Sequence, residues 1–495
     1  MHLARWPTRT AGGAAAAVAA FLPSGAAAHA FGQRYDLPIP LDLYLGGAGL
    51  AVALSFVAAA VALKRPSEDA RLELDLTRRI PFLGPVAQAA FIVTRLIGLA
   101  VFLLVLIAGF IGVQDAFENI APTTVWVIWW IGLAYASALI GDLWHALNPF
   151  RAVAAVLRRI NPVPPLRYPD ALGVLPALLL FAGFAWTEMV SERADSPAGL
   201  AWLALCYAIV TLAGMGLFGA ATWLRNGEAF TVAFGLIARF GPFTARRRQE
   251  SGERMQIVVR PFGAGLLSRA PVHPTLMLFV LLMLATVSFD GFRETPAWNW
   301  AINWAASSPF LRATLIDLRA AGVDLLALFS TAGLLGAFVV FVAVYALFAR
   351  LMAWAGGDEV STGLAARQFV LSLMPIAIAY HLAHYLSYFM LAGQLMIPLA
   401  SDPFGFGWNL FGTASYRMDI SVVSAKMVWY TAVTAIVIGH IAAVWLAHIT
   451  ALRVFSTPRR ALASQYPMLV LMVGYTASSL WILAQPVVET GLAGG

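Results

Sequence analysis

Charged residues are scarce in this chain. Asp, Glu, Lys and Arg together make up 12% of its 495 residues, whereas hydrophobic residues make up 60%. The mean hydropathy is +0.78. A soluble globule of this length needs more polar surface than such a composition can supply, which excludes that class. The composition instead predicts a multi-pass membrane protein, with the lipid bilayer as its main partner.

Cysteine is almost absent. The single cysteine, Cys206, lies inside an apolar run. This excludes a disulfide framework and a metal site built from cysteine ligands. Histidine, the commonest metal ligand in proteins, is then the first candidate for a metal site.

Basic residues outnumber acidic ones by 32 to 25, a net charge of +7 that would suggest nucleic acid as the partner of a soluble protein. Here their placement argues against a nucleic-acid partner, because they gather in every second connection between apolar runs. Examples are the stretches 64–79, 151–167, 246–260 and 453–460. By the positive-inside rule these connections are cytoplasmic. We therefore expect a bacterial inner-membrane protein with both mature termini outside.

The first 28 residues have the layout of a secretory signal peptide. Arg5 and Arg9 precede an alanine-rich apolar run, and small residues follow. Cleavage after Ala28 leaves His29 as the first residue, and cleavage after Ala30 is the alternative. Residues 29–495 are predicted to form a single multi-pass membrane domain without a soluble one.

Ten apolar runs after the predicted signal peptide are long enough to cross a hydrocarbon core of roughly 30 Å. They cover residues 43–63, 91–113, 124–144, 172–190, 200–224, 275–292, 323–348, 368–396, 427–452 and 466–484. The predicted fold is an all-α, polytopic membrane helix bundle with about ten transmembrane helices after a cleaved signal peptide.

Histidines in two consecutive runs are the most informative residues. His381 and His384 lie in the middle of the run 368–396, flanked by Tyr380 and Tyr385. Residues three and four apart share a helix face. Polar groups at membrane depth turn toward the protein interior, so this face is a candidate functional site.

The next run contributes His440 and His448. Imidazoles from two helices could hold a divalent transition metal, zinc or copper. His440 and His448 are eight residues apart, or about 12 Å along a helix. We therefore do not expect them to bind the same ion, and His440 is the better partner for His381 and His384. The alternative is that the histidines only connect helices by hydrogen bonds. His29 could also bind copper if it is the mature N-terminus.

Three carboxylates lie near the predicted outer ends of the runs. Glu188, Asp290 and Glu294 could each supply a carboxylate to an outward-facing pocket. We prefer the interpretation that each is a solvated helix terminus.

Several segments together resemble the bacterial membrane-bound fenitrothion hydrolase group. They are residues 29–41 (HAFGQRYDLPIPL), 144–150 (WHALNPF), 380–385 (YHLAHY), the helix from Gly439 to His448, and 464–472 (SQYPMLVLM). The resemblance spans nearly the whole chain. It implies hydrolysis of the aryl ester of an organophosphorus triester such as fenitrothion, with release of a nitrophenol. It does not imply which residues act.

Hydroxide formation at neutral pH is the chemical requirement for such a hydrolase. A metal on His381, His384 and His440 would lower the pKa of its bound water. Tyr380 or Tyr385 would then stabilise the developing charge. The apolar, uncharged substrate would reach the site from the bilayer.

Two other functions remain open. A copper-handling membrane protein could take the ion at His29 and pass it to the membrane histidines, although the methionines form no Met-x-x-Met clusters. A secondary transporter could use the histidines as a proton relay. Only Pro375 and scattered glycines offer the broken helices typical of transporters.

Overall fold

The computed structural model describes residues 35–63, 73–80, 82–160, 163–247, 255–485 and 488–489. Within these ranges, ten long helices form the bundle. Each is long and apolar enough to cross a membrane. They are α1 (Leu41–Ala62), α2 (Leu83–Ile111), α3 (Ile120–Leu139), α4 (Asp170–Val190), α5 (Pro197–Phe218), α6 (Pro274–Arg293), α7 (Leu325–Ala355), α8 (Thr362–Ser401), α9 (Ala425–Val454) and α10 (Pro458–Ala484). The prediction of an all-α polytopic bundle is confirmed, while the predicted signal peptide lies outside these ranges.

Shorter elements fill the connections. The helices among them are Leu76–Arg79, Leu143–Leu147, Pro149–Ile160, Ala220–Asn226, Ala229–Ala238, Pro296–Ser307 and Pro309–Ala320. The strands are β1 (Tyr35–Asp36), β2 (Leu74–Asp75), β3 (Phe243–Arg247), β4 (Met255–Val259) and β5 (Val488–Glu489). Antiparallel pairing gives a sheet in the order β2-β4-β3, and β1 pairs with β5 in parallel. The three-stranded sheet marks one end of the bundle, here named the sheet end. The β1–β5 pair marks the other, here named the β1–β5 end.

Side-chain caps begin several of the spans. Asp324 accepts hydrogen bonds from the backbone N–H groups of Leu326 and Ala327 at the start of α7. Ser361 and Ser424 do the same at the starts of α8 and α9. The first N–H groups of a helix have no partner within it, so these short polar residues define where each span begins.

The helix α8 changes its winding near its middle because of Pro375. Proline has no N–H group, and its ring clashes with the carbonyl of the residue four positions earlier. A 3₁₀ turn at Val370–Leu373 separates the first helical segment, Thr362–Phe369, from the second, Met374–Ala392. The second segment carries both histidines. We name it the histidine segment.

The helices α8 and α9 approach each other closely at Gly439. A Cβ atom at this position would lie 2.5 Å from the Cβ of Ala379 and 2.8 Å from the carbonyl oxygen of Pro375. Only glycine permits this backbone approach, which is common in membrane helix pairs. The contact fixes the histidine segment against the helix that carries His440 and His448.

The core of the bundle includes α6 and α8. Fully buried large side chains include Phe279 and Leu284 on α6, and Phe369 and Tyr380 on α8. The histidine segment is therefore surrounded by protein, as its polar residues require.

Candidate functional site

A hydrogen-bonded cluster joins the histidine segment to α4 and α6. The hydroxyl oxygen of Tyr385 lies 2.8 Å from Oδ2 of Asp290 and 3.1 Å from Oε1 of Glu188. Nε2 of His384 lies 2.9 Å from the same Oδ2 atom of Asp290. The Asp290 and His384 side chains are 14% and 9% exposed. We name Glu188, Tyr385, Asp290 and His384 the polar row.

The hydrogen atoms of the polar row can be placed by counting donors. Tyr385 has one hydroxyl hydrogen, and its shorter contact is with Asp290. Its longer contact, at 3.1 Å, is with Oε1 of Glu188, so the one hydroxyl hydrogen is shared between the two carboxyl groups. Oδ2 of Asp290 thus has both Tyr385 and His384 as partners.

His384 is held in one tautomer by this arrangement. A carboxylate only accepts hydrogen bonds, so the hydrogen lies on Nε2 and the neutral ring has its lone pair on Nδ1. The Nδ1 atom lies on the side of Gly291, where an added Cβ would be 3.6 Å away from it. Asp290 thus orients a base toward the α6 backbone, as second-layer carboxylates often do for histidines.

His381 lies on the other side of the polar row. It lines a cavity of about 40 Å³ together with Glu188, Asp290, Tyr385 and Trp130. Its Nε2 atom is buried and has no hydrogen-bond partner among the described residues. A water site needs about 10–15 Å³, so this cavity can hold water that bonds to His381. We name it the polar cavity.

The wall of the polar cavity comes from an unusual stretch of α3. Thr123–Gly132 is wound as a π-helix, a conformation that is rare and is frequent at functional sites. Trp130 in this stretch packs edge-on against His381, with ring centres 5.3 Å apart. Tyr135 packs on the same imidazole at 5.7 Å. These contacts fix the ring orientation of His381.

A second cavity, of about 30 Å³, lies on the His384 side of the polar row. Its lining includes His384, Gly291, Glu294 and Trp429. The hydroxyl of Tyr380 is buried without a partner in the described part of the chain, and a Cβ at Gly291 would lie 2.9 Å from it. A base and a hydroxyl donor therefore meet at Gly291, and its missing side chain leaves room for a small molecule. We name this cavity the second cavity.

Glu294 follows the last residue of α6 and lines the rim of the second cavity. Burial raises the pKa of its carboxyl, and the charge of Asp290 raises it further. Glu294 therefore holds a proton at a higher pH than an exposed glutamate does. It is the group between the polar row and the β1–β5 end.

The sequence analysis did not predict where the carboxylates lie. We expected Glu188, Asp290 and Glu294 to be solvated helix ends, but Glu188 and Asp290 are hydrogen-bonded inside the bundle. That interpretation is wrong for these two residues. The available indication was their position: an ionisable residue within a membrane span is a functional candidate by default.

His440 does not join the other histidines. Its Nδ1 atom donates to the carbonyl oxygen of Ile436, at 2.9 Å, and its ring packs on Tyr475. Its Nε2 atom is buried without a partner among the residues that the structure describes.

His448 connects three helices by hydrogen bonds. Its Nδ1 lies 3.0 Å from Oε1 of Gln465, and its Nε2 lies 3.0 Å from the carbonyl oxygen of Leu63. Both ring nitrogens are therefore occupied by partners on α10 and at the end of α1. This agrees with the hydrogen-bonding alternative for His448. His29 lies outside the described ranges.

Comparison of the chain with protein-family models, with curated proteins and with solved structures found no match.

The predicted metal ligands are not gathered in one place. Within the described ranges, no group of three or more His, Cys, Asp and Glu side chains is placed to hold a metal ion. His384 is bonded to Asp290, His381 faces the polar cavity, and His440 bonds to its own helix. The residues as arranged do not fit a three-histidine metal site.

Proposed function

We propose that this protein hydrolyses neutral organophosphorus (thio)phosphate triesters such as fenitrothion and releases a nitrophenol. The sequence resemblance suggests the reaction. The observation that carries the proposal is the hydrogen bond between Asp290 and His384. The other ring nitrogen of His384, Nδ1, and the hydroxyl of Tyr380 both lie close to Gly291. A base oriented by a carboxylate and a nearby hydroxyl donor are the two groups that water attack on phosphorus requires.

The reaction can be written with these residues. Nδ1 of His384 takes a proton from a water in the second cavity, and the water oxygen bonds to phosphorus. The bond from phosphorus to the aryl oxygen breaks, and the nitrophenolate leaves with the electron pair. Asp290 stabilises the imidazolium that forms, and Tyr380 donates a hydrogen bond to the phosphoryl oxygen or thiophosphoryl sulfur.

The location of the site suits an apolar substrate. A neutral triester partitions into the bilayer, and the second cavity is walled by apolar side chains such as Trp429 and Ile482. Its volume of about 30 Å³ accommodates the attacking water and not the ester. The ester must therefore approach at the rim, past Glu294.

A metal-dependent form of the same reaction makes different demands. His384 would have to release Asp290, and His440 would have to release the Ile436 carbonyl, before three imidazoles could share an ion. The two forms therefore differ in the role of His381, which is a ligand in one and only lines the polar cavity in the other.

The test uses protein purified in mild detergent, with nitrophenol release and bound metal both measured. His384→Ala should abolish turnover without changing the metal content. His381→Ala should retain a large part of the turnover. Loss of activity and metal together in both variants would establish the metal-dependent form instead. Activity that survives His384→Ala would exclude this site.

A second candidate is a proton-coupled transporter. The favouring observation is the polar row itself, in which four titratable groups run without a gap between two cavities. Proteoliposomes with an internal pH dye would show proton flux that Tyr385→Phe stops. Flux in a protein that never cleaves the ester would favour this function. A copper-handling function would depend on His29. The measurement of bound metal described above also tests that function.

We also propose that the β1–β5 end faces outward from the bacterial inner membrane. The basic connections at the sheet end support this orientation by the positive-inside rule. The second cavity would then open toward the outside. Labelling of single cysteines introduced at Glu118 and Arg350, by a reagent that cannot cross the membrane, tests it.

A further inference from the structure

Two short helices connect α6 to α7 at the β1–β5 end of the bundle. They are Pro296–Ser307 and Pro309–Ala320, they contact each other, and neither contains a buried residue. The first helix carries three tryptophans, Trp298, Trp300 and Trp304. We name the two helices the tryptophan hairpin. It lies outside the polar row, and the proposed hydrolysis does not use its side chains.

Trp298 shows how deep the tryptophan hairpin begins. Its ring packs edge-on against Phe289, with ring centres 5.2 Å apart, and a Cβ at Gly333 would lie 2.6 Å from it. Phe289 comes four residues before the end of α6, and Gly333 comes eight residues after the start of α7. At 1.5 Å per residue these two positions lie about 6 Å and about 12 Å inside the ends of their spans. The first helix of the hairpin therefore begins at a level that the bilayer surrounds.

The other aromatic side chains of the tryptophan hairpin are exposed. Trp300 and Trp304 are 68% and 60% exposed, and Phe310 on the second helix is 88% exposed. Trp300 and Trp304 are four residues apart, so they share one face of their helix. Large apolar side chains that are exposed together mark a surface that a partner or a membrane covers.

Polar side chains occupy a different face of the first helix. Asn299 and Asn303 are exposed, and each directly precedes one of the two exposed tryptophans. Because a helix has 3.6 residues per turn, neighbouring residues point about 100° apart. The asparagine face is therefore turned away from the tryptophan face. A helix at a bilayer surface needs this division, since its apolar face enters the boundary between headgroups and acyl chains by about 5–10 Å and its polar face meets water.

The lipid bilayer is the partner that fits this surface. The second helix of the tryptophan hairpin contacts α7, a span on which Leu335 and Val339 are exposed to the surrounding lipid. The lipid-facing surface of α7 thus leads directly onto the hairpin. Tryptophan is enriched where headgroups meet the hydrocarbon core, because its ring is apolar and its N–H group still finds a hydrogen-bond acceptor there.

We infer that the tryptophan hairpin lies in the headgroup region of the leaflet at the β1–β5 end, with Trp300, Trp304 and Phe310 inserted toward the acyl chains. The inference concerns only where the hairpin lies, so it does not depend on the proposed hydrolysis.

This location sets the level of the rim of the second cavity. Glu294 lines that rim and comes two residues before the hairpin. The side chain of Thr295, between them, accepts a hydrogen bond from the backbone N–H of Trp298 at 3.3 Å. Glu294 and the hairpin therefore belong to one short turn. A molecule dissolved in the bilayer reaches Glu294 from the headgroup region without first crossing bulk water.

A depth measurement with a fluorescent label tests the inference. A single cysteine is introduced by Trp304→Cys or Asn303→Cys into protein that also carries Cys206→Ala, since Cys206 is the one cysteine of the chain. Each protein is labelled with nitrobenzoxadiazole and reconstituted in phosphatidylcholine vesicles. The vesicles contain a spin-label quencher either high or low on the acyl chain, and iodide is the quencher in water. We expect the high quencher to be the most effective at position 304, whereas position 303 should respond more to iodide.

Two exposed positions calibrate the measurement. Val339 lies near the middle of α7, so a label at Val339→Cys should be quenched most by the low quencher. Glu118 lies in the connection between α2 and α3 at the β1–β5 end, so a label at Glu118→Cys should be quenched by iodide and by neither lipid.

Each other covering of the tryptophan hairpin gives a different result. If water covers it, the label at position 304 will respond to iodide as the label at position 118 does. If a second copy of the chain covers it, neither lipid nor iodide will quench that label, and Trp304→Cys will form a disulfide between copies. Either result, or strongest quenching at position 304 by the low quencher, would overturn the inference.

Discussion

Oδ2 of Asp290 lies 2.9 Å from Nε2 of His384, although the two residues are 94 positions apart in the chain. The hydrogen bond makes the imidazole a base with a fixed tautomer and a fixed direction. Neither residue alone would show this property. The pair is therefore the first target for substitution.

Asp290→Asn should lower the turnover of an aryl thiophosphate triester by about 10²- to 10⁴-fold, the contribution that general acid–base catalysis usually makes. The amide keeps the shape of the side chain but can neither fix the productive tautomer nor stabilise the imidazolium. Nitrophenol release by purified protein is the measurement. Asp324→Asn is the control, because asparagine caps a helix as well as aspartate does. Equal rates for Asp290→Asn and wild type would refute the role of the pair.

Tyr385→Phe should destabilise the folded protein by about 1–3 kcal/mol, because it leaves buried carboxylate oxygens without their donor. The ring, which packs on His381 and His384, stays in place. Thermal unfolding in detergent measures the change. Tyr466→Phe serves as the control, since Tyr466 is 54% exposed. A variant as stable as wild type would mean that the hydroxyl does not hold the polar row together.

The fold could be predicted from the sequence because each span is a local feature. A run of about 20 apolar residues has few alternatives to a membrane helix. The bounds differ from the predicted runs in both directions: α10, Pro458–Ala484, exceeds the predicted 466–484, whereas α3 ends at Leu139 and α5 at Phe218, before the predicted 144 and 224. The extra turns carry polar residues such as Arg459 and Gln465, which a search for apolar runs leaves out.

The candidate site could be predicted only in part. Spacing places His381 and His384 on one helix face, but it does not tell which helix packs against that face. Here α6 lies against it with Asp290, and α4 with Glu188, so two adjacent histidines have different surroundings. Such pairings between distant segments are decided by packing of the whole bundle.

The metal prediction used His440 as a third ligand, and its failure to join the others has a local cause. The Nδ1 atom of His440 bonds to the Ile436 carbonyl, four residues earlier on the same helix. Spacing along α9 gives the depth of His440 but not its side-chain rotamer. The rotamer decides which neighbour the ring nitrogen meets.

Glu294 should make stability depend on pH. Its pKa is raised in the folded protein by burial and by Asp290, so the folded state holds this proton more tightly than the unfolded state. The stabilisation is complete below the ordinary glutamate pKa of about 4.3 and is lost as the pH rises through the folded value. Glu294→Gln should therefore become more stable relative to wild type between pH 4 and pH 8, measured as the unfolding midpoint. Glu118→Gln, at an exposed position, is the control for the substitution itself.

His448→Ala should destabilise the bundle by about 1–3 kcal/mol, because the buried side chain of Gln465 and the carbonyl of Leu63 lose their hydrogen-bond partner. His448→Gln keeps an N–H donor and should recover part of the loss. Unfolding midpoints of the three proteins measure this order, and bound metal should be the same in all three. A metal content that falls in both variants would restore His448 as a ligand.

Gly439→Ala should force α8 and α9 apart. The new Cβ would lie 2.5 Å from Ala379 Cβ and 2.8 Å from the Pro375 carbonyl, and neither atom belongs to a flexible side chain that could move aside. Overpacking of this kind costs about 1–3 kcal/mol, so the unfolding midpoint should fall. The shift also moves the histidine segment relative to α6, so turnover should fall with it. Gly474→Ala is the matched control, because Gly474 on α10 has nothing within 4 Å of an added Cβ. If both alanine variants behave alike, the close approach of α8 and α9 does not hold the histidine segment in place.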